Sequence, residues 1–403
     1  MLKRIKIKQL RIGMYCSSWV STDSFVKKSF LVNDQEELDQ IINSGIREVY
    51  IDTSIGLDVM SKPASAAIAK KTTGSVALQK SNDLITTLPM SEELHQASKI
   101  VNRSKEAITS MFNEARMGKA VNVGSAVSLV AEITSSVMRN PGALIGLARL
   151  KTKDDYTYMH SVAVCALMVS LARQLGLSDE QTRESGLAGL LHDVGKMAIP
   201  LDILNNPGKL TDEEFAIVKK HPVAGHQMLL EGGTVGEITL EVCLHHHEKM
   251  DGTGYPDKLS GDNISVFARM GAVCDVYDAI TSNRPYKQGW CPSESLRKMA
   301  EWGGHFDKEI FQAFVKCVGI YPVGTLVRLE SGRLGVVVEQ QTGKSLLLPK
   351  VRVFFSSKSN SYIMPQLLDL ANPGAGDKIV AREDAEKWQL QDINQYWLGD
   401  KAG

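Results

Sequence analysis

Leu244-His245-His246-His247-Glu248-Lys249-Met250-Asp251-Gly252-Thr253-Gly254-Tyr255-Pro256 decides how this chain is read. Three of its nine histidines stand side by side there, followed by a carboxylate, an acidic turn and a Gly-Tyr-Pro end. Histidine is the commonest metal-ligating side chain. The glycines let a loop fold back tightly beside the imidazoles. A metal centre built on this stretch needs ligands from elsewhere in the chain.

Working outward, the best partner is His192-Asp193-Val194-Gly195-Lys196. It offers an imidazole, a carboxylate able to bridge two ions, a glycine that turns the chain away, and a cation aimed at the same space. His160 precedes it on one apolar helix and His221 follows on another. Asp275 sits mid-helix in an apolar stretch, where an unpaired carboxylate would be expensive to bury. A lone histidine on an apolar helix is more often a hydrogen-bonded core residue than a ligand. Six of the nine histidines and two aspartates on successive helices of one region, with His-Asp and His-His adjacencies, are not explained that way. A donor set of nitrogen and oxygen without thiolate points away from structural zinc and suits iron, manganese, zinc, cobalt or nickel. Two such ions about 3.5–4 Å apart can clamp a phosphate ester and supply a nucleophile at neutral pH. After Asp275 comes Thr281-Ser282-Asn283-Arg284-Pro285-Tyr286-Lys287, where Arg284 and Lys287 are candidate phosphate contacts.

The rest of the chain frames this region. Its 403 residues suggest two or three domains, and 43% hydrophobic residues suffice for packed cores. Residues 1–60 mix β-type alternation at 3–10 and 48–52 with helical spacing at 34–43, which reads as a small α+β domain. Residues 61–90 are Ser, Ala, Thr and Lys-rich and read as a linker. Residues 91–150 return to helical periodicity, as a connector or an extension of the N-terminal domain. Residues 151–320 read as wholly helical, with helices expected at 156–176, 178–192, from 211, 235–247, 265–281, 292–302 and 307–318. Residues 321–403 read as a β-rich appendage and tail, with a hairpin about Ser331-Gly332-Arg333.

Lys plus Arg equals Asp plus Glu, 46 each, which argues against duplex nucleic acid as the main partner. Six cysteines without a C-x-x-C spacing fit a reducing compartment. The first residues lack a signal-peptide core, and the longest nearly apolar run, 161–172, is too short to span a bilayer. A cytoplasmic protein without membrane insertion is the expectation.

At this point residues 150–320 resemble the HD-GYP family of the HD phosphohydrolase superfamily. The matching pieces are His160, His192-Asp193-Val194-Gly195-Lys196, His221 with Gly225, and His246-His247-Glu248. They continue with Asp251-Gly252-Thr253-Gly254-Tyr255-Pro256, Asp275 with Asp278-Ala279, Arg284-Pro285-Tyr286-Lys287 and Gly304-His305-Phe306-Asp307. The first residues look like the small domain often found before such modules. The resemblance implies a mainly α fold with an all-helical HD-type core. It implies hydrolysis of cyclic di-GMP to linear pGpG and onward to GMP, with cyclic GMP-AMP, another nucleotide or a non-catalytic sensor role as alternatives. It places one metal on His160, His192, Asp193 and Asp275, and a second on Asp193, His221, His246 and His247. Iron or manganese come first, with nickel, cobalt and zinc behind. Asp193 and Lys196 would be the catalytic pair. Lys196, Gly254, Tyr255, Arg284 and Lys287 would contact substrate. The Gly254-Tyr255-Pro256 loop would also be open to protein partners, and a homodimer is an open option. Some members carry a Glu four residues before the first histidine to help hold a third metal. Tyr156 stands there, so two ions are expected.

Overall fold

The computed structural model describes residues 2–7, 10–11, 15–20, 25–26, 30–32, 48–52, 88–121, 123–150, 156–206, 208–233, 235–282, 289–341 and 344–398. The chain divides into two compact units, Met1–Lys80 and Ser81–Gly403. In the first, β1 (Leu2–Lys6), β2 (Tyr15–Val20), β3 (Phe25–Val26), β4 (Phe30–Leu31) and β5 (Glu48–Asp52) form one antiparallel sheet. Its order is β1-β5-β2-β3, with β4 also on β2. The β1–β5 register pairs Ile5 with Val49, both buried, so the period-2 alternation sets one face to a core. The expected helix at 34–43 and linker residues 61–87 lie outside the described residues.

The second unit is built on helices. α1 (Met90–Arg116), α2 (Val123–Arg139) and α3 (Pro141–Arg149) precede α4 (Tyr156–Gln174) and α5 (Asp179–Leu191). Glu93 is buried on α1 because α2 answers it: Arg139 forks onto it at 2.6 and 2.9 Å, and Ser136 donates at 2.6 Å. Asn140 separates α2 from α3 and caps α3 through Gly142 N. α4 is buried almost all round, as a central helix must be. α5 lies close against it: a Cβ on Gly189 would stand 2.9 Å from Val164 O. Ser178 and Gln181 form a capping box at the start of α5.

A 3₁₀ turn (Val194–Ala198) leads to α6 (Leu201–Leu204), α7 (Asp212–Val218), α8 (His221–Gly232) and α9 (Glu237–His245). The sequence suggests one helix from 211. Two form, because Lys219 and Lys220 close α7 and Pro222 restarts the chain as α8. α10 (Val266–Thr281), α11 (Pro292–Glu301) and α12 (Lys308–Val318) complete the helical body. Among the described residues no helix is long and apolar enough to cross a membrane.

The C-terminal portion is more than a hairpin. β6 (Leu326–Leu329), β7 (Arg333–Glu339), β8 (Lys350–Ser356), β9 (Ser361–Asp369) and β10 (Ile379–Arg382) form an antiparallel sheet ordered β10-β6-β7-β8-β9. β9 escapes sequence reading because it is largely exposed, with no alternation, and contains Pro365. The sheet shares a core with the helices. Leu334, Val336 and Phe354 pack in one cluster with residues of α1 to α5. Trp397, on the short α13 (Gln395–Leu398), lies against Gly146 of α3.

Candidate metal centre

The site forms where helix ends converge. His192 follows the last residue of α5, His221 opens α8 and His246 follows α9. The last carbonyls of a helix lack intrahelical partners. His192 and His221 each take one with Nδ1, donating to Gly189 O and to Val218 O at 2.8 Å, and His246 Nδ1 donates at 2.9 Å to Val242 O, which also accepts from its own backbone N. A carbonyl only accepts, so Nδ1 carries a proton and Nε2 is the nitrogen turned to the site. His160 Nδ1 lies 2.6 Å from Asp278 Oδ2, one turn beyond Asp275 on α10. That carboxylate orients His160 as the carbonyls orient the others.

Two groups result, each with donor atoms within 4.8 Å of one another: His160, His192 and Asp275, and Asp193, His221, His246 and His247. Asp193 touches both. Its Oδ2 is 3.3 Å from His192 Nε2 and 3.5 Å from His160 Nε2, and accepts from Lys196. Its Oδ1 is 3.2 Å from His221 Nε2 and 3.8 Å from His246 Nε2. Asp275 Oδ1 is 2.9 Å from His160 Nε2, and its Oδ2 is 3.9 Å from His247 Nδ1. All are buried except His247, which is partly so.

Electrostatics separates the groups. Burial resists ionisation of Asp193 and Asp275. Lys196 and His192 nevertheless hold Asp193, and His160 at 2.9 Å, with His192 beyond it, holds Asp275, well below the usual carboxylate range. Burial also opposes a charged His192, but Asp193 and then Asp275 raise it to about 10. Burial drives His247 down to about 3, and burial with the His247, His192 and His221 charges drives His246 well below its ordinary value. His192 Nε2 and Asp193 Oδ1 are buried with no aligned hydrogen bond. Two orphaned atoms aimed into an all-nitrogen-and-oxygen donor set fit divalent cations, which would satisfy both.

His245 points elsewhere. Its Nε2 is 3.0 Å from Asp257 Oδ2 and its Nδ1 is 3.3 Å from Glu241 Oε2. Glu248 is buried and accepts from Asp257 N at 2.7 Å, bracing the Gly-Tyr-Pro loop. Gly254 is required there, since a Cβ would stand 2.5 Å from Glu248 Cα. Tyr255 stacks on His247, ring centroids 4.7 Å apart. Arg284 and Lys287 lie outside the described residues. Sequence reasoning assigned no role to Asp278 or the three carbonyls. Asp278 was discoverable, because i and i+3 share a helix face.

A family model described as an HD domain matches residues 137–310, and one described as a domain of unknown function (DUF3391) matches residues 2–126. A cyclic di-GMP phosphodiesterase of Pseudomonas aeruginosa is 53% identical over 403 residues, covering 99% of this chain and 96% of that protein. A cyclic di-GMP phosphodiesterase response regulator of Xanthomonas campestris is 42% identical over 47% of this chain and 50% of its own length. A 3′3′-cGAMP-specific phosphodiesterase of Vibrio cholerae is 37% identical over 41% of this chain and 32% of its own length.

Proposed function

The chain belongs to the HD-GYP branch of the HD phosphohydrolase superfamily, and from that premise we propose that it hydrolyses the phosphodiester bonds of cyclic di-GMP. The observation carrying the reading is Asp193, one buried carboxylate whose two oxygens face two different imidazole groups. His160, His192, Asp193 and Asp275 would hold one divalent ion, and Asp193, His221, His246 and His247 a second. Iron or manganese suit these donors first; nickel, cobalt and zinc remain compatible. When bound, the ions supply Lewis acidity at the phosphate and a nucleophile at neutral pH.

The chain's own groups do the rest. The orienting carbonyls and Asp278 keep the imidazoles pointed inward without reorganisation. Lys196 is held on Asp193 and is partly exposed, so its ammonium is available to a non-bridging phosphate oxygen. Tyr255, stacked on His247, and Gly254 form the lip that would meet the substrate. Arg284 and Lys287 would take further phosphate contacts. Hydrolysis adds water across a P–O3′ bond: the new oxygen joins phosphorus and the ribose 3′ oxygen leaves with a proton, giving linear pGpG. Residues 151–320 would be the catalytic domain.

Product analysis with cyclic di-GMP, 3′3′-cGAMP and mononucleotides, on anaerobically purified protein with its metal counted, tests this. Turnover of cyclic di-GMP with two ions per chain is expected. Asp193→Ala should abolish turnover while the circular dichroism spectrum is unchanged. Three ions per chain, or turnover confined to mononucleotides, would overturn the reading.

A further inference from the structure

A cleft lies away from the metal ligands. Between α2, α3, the C-terminal half of α4, α12 and the turn after β7 is a cleft of about 890 Å³. That volume matches a small-molecule site. Its charge is one-sided: six cationic side chains line it against two carboxylates, Asp278 and Glu339. Two of the cations are neutralised, Arg139 by Glu93 and Lys350 by Glu339. Among the described residues no ion pair engages Arg149, Arg173, Lys316 or Lys344.

Arg149 is the decisive group. Arg173, Lys316 and Lys344 are exposed, where a cation needs no partner, but Arg149 is set into the wall. Its guanidinium reaches Val323 O at 3.4 Å and lies against Gly324, where a Cβ would meet Nη2. One long bond to a carbonyl leaves most of the five donors of a half-buried guanidinium unused. Burial lowers its pKa, with Tyr277, Cys291 and Asp278 acting the other way. It stays charged, as Arg does in proteins. Asp278 is committed to His160 Nδ1 at 2.6 Å and Ser282 Oγ at 3.2 Å. The cleft thus supplies a fork-shaped donor, three outlying cations and room for more than a bare anion.

We propose that this cleft binds a phosphorylated small molecule of nucleotide size, with a phosphate forked by Arg149 and its outer charge met by Arg173 and Lys316. The site is separate from the metal ligands and needs no bound ion. Asp278 both lines the cleft and holds His160, so an occupant would sit one side chain from the metal centre.

The test is calorimetric titration of GTP into the full chain kept metal-free with a chelator, so that phosphate binding through ions is excluded. One GTP per chain is expected, with pyrophosphate competing. Arg149→Gln, and separately the exposed pair Arg173→Glu with Lys316→Glu, should each weaken binding by about tenfold or more. Asp193→Ala should leave binding unchanged, and circular dichroism checks each fold. No binding to the wild type, full binding in the exposed pair, competition by guanosine but not pyrophosphate, or loss in Asp193→Ala would each overturn the proposal. Hydrolysis is not measured, so the outcome is independent of the assigned activity.

Discussion

At the scale of single residues, the site depends on groups that hold histidines as much as on the histidines. Asp278 illustrates this. It lies 2.6 Å from His160 Nδ1, one turn beyond Asp275 on α10. Asp278→Asn keeps the shape but replaces a charged acceptor with an amide. Metal affinity should fall by about 10–100-fold, the usual cost of losing such a support. Metal titration of the variant checks it, and unchanged affinity would show that His160 needs no orienter. His305 carries a second prediction. Burial and the nearby Lys249 lower its pKa to about 4, with Asp251 opposing. The unfolded value is about 6.5, so the folded chain binds this proton less readily than the unfolded one. Its contribution to stability is therefore full above about pH 6.5 and is lost as pH falls through about 4. Urea midpoints at pH 7, 5.5 and 4.5 should decline less steeply in His305→Gln than in the wild type; parallel curves would remove His305 from the account. Ligand types were readable in the sequence because His192-Asp193 and His246-His247 are adjacent and recur in order on helices. The backbone carbonyls that select each tautomer were not, since they carry no side-chain signature.

At the scale of elements, the metal groups meet because glycines let backbones touch. The turn carrying Asp193 and Lys196 is pressed against the start of α8. A Cβ on Gly195 would stand 1.9 Å from His221 O and 2.4 Å from Gly225 N. Both obstacles are backbone, so Gly195→Ala must push α8, and His221 with it, away from Asp193. A cost of at least about 1–3 kcal/mol is expected, together with loss of the ion on His221, His246 and His247. Gly303→Ala serves as the control, because nothing lies within 4 Å of its Cβ position. Thermal melts and metal counts on the two variants should diverge; equal behaviour would mean the backbone contact is unimportant. Helix starts were legible for a related reason. Ser178, Thr211, Ser265 and Asp307 each accept from the following backbone as N-caps, and such residues announce themselves. Close approaches are less visible, because a glycine in a sequence does not say what stands opposite it.

At the scale of the whole second unit, the C-terminal sheet is part of what keeps the helices in place. Val323, Leu326, Val336 and Phe354 share a core with α1 to α5. Arg382 donates to Ser293 O at 2.8 Å, tying β10 to α11. Residues 321–403 read as β-rich, but no local pattern reveals that a strand's buried face is covered by helices nearly 200 residues earlier. Trp397 closes the arrangement. It is 2% exposed, its Nε1 donates to Asn394 Oδ1 at 2.9 Å, and its ring would lie 3.0 Å from a Cβ on Gly146. Trp397→Ala should cost about 3–5 kcal/mol, as for other buried aromatics, although the residue is remote in sequence from every proposed ligand. If the sheet were an independent appendage, the variant would melt in two transitions, with the helical one unmoved. A shared core requires one transition, shifted downward, and a chain cut after residue 320 should lose soluble yield because it bares the helical faces the sheet covers. Calorimetry of Trp397→Ala separates these outcomes. An unmoved helical transition would detach the sheet from the fold of the metal centre.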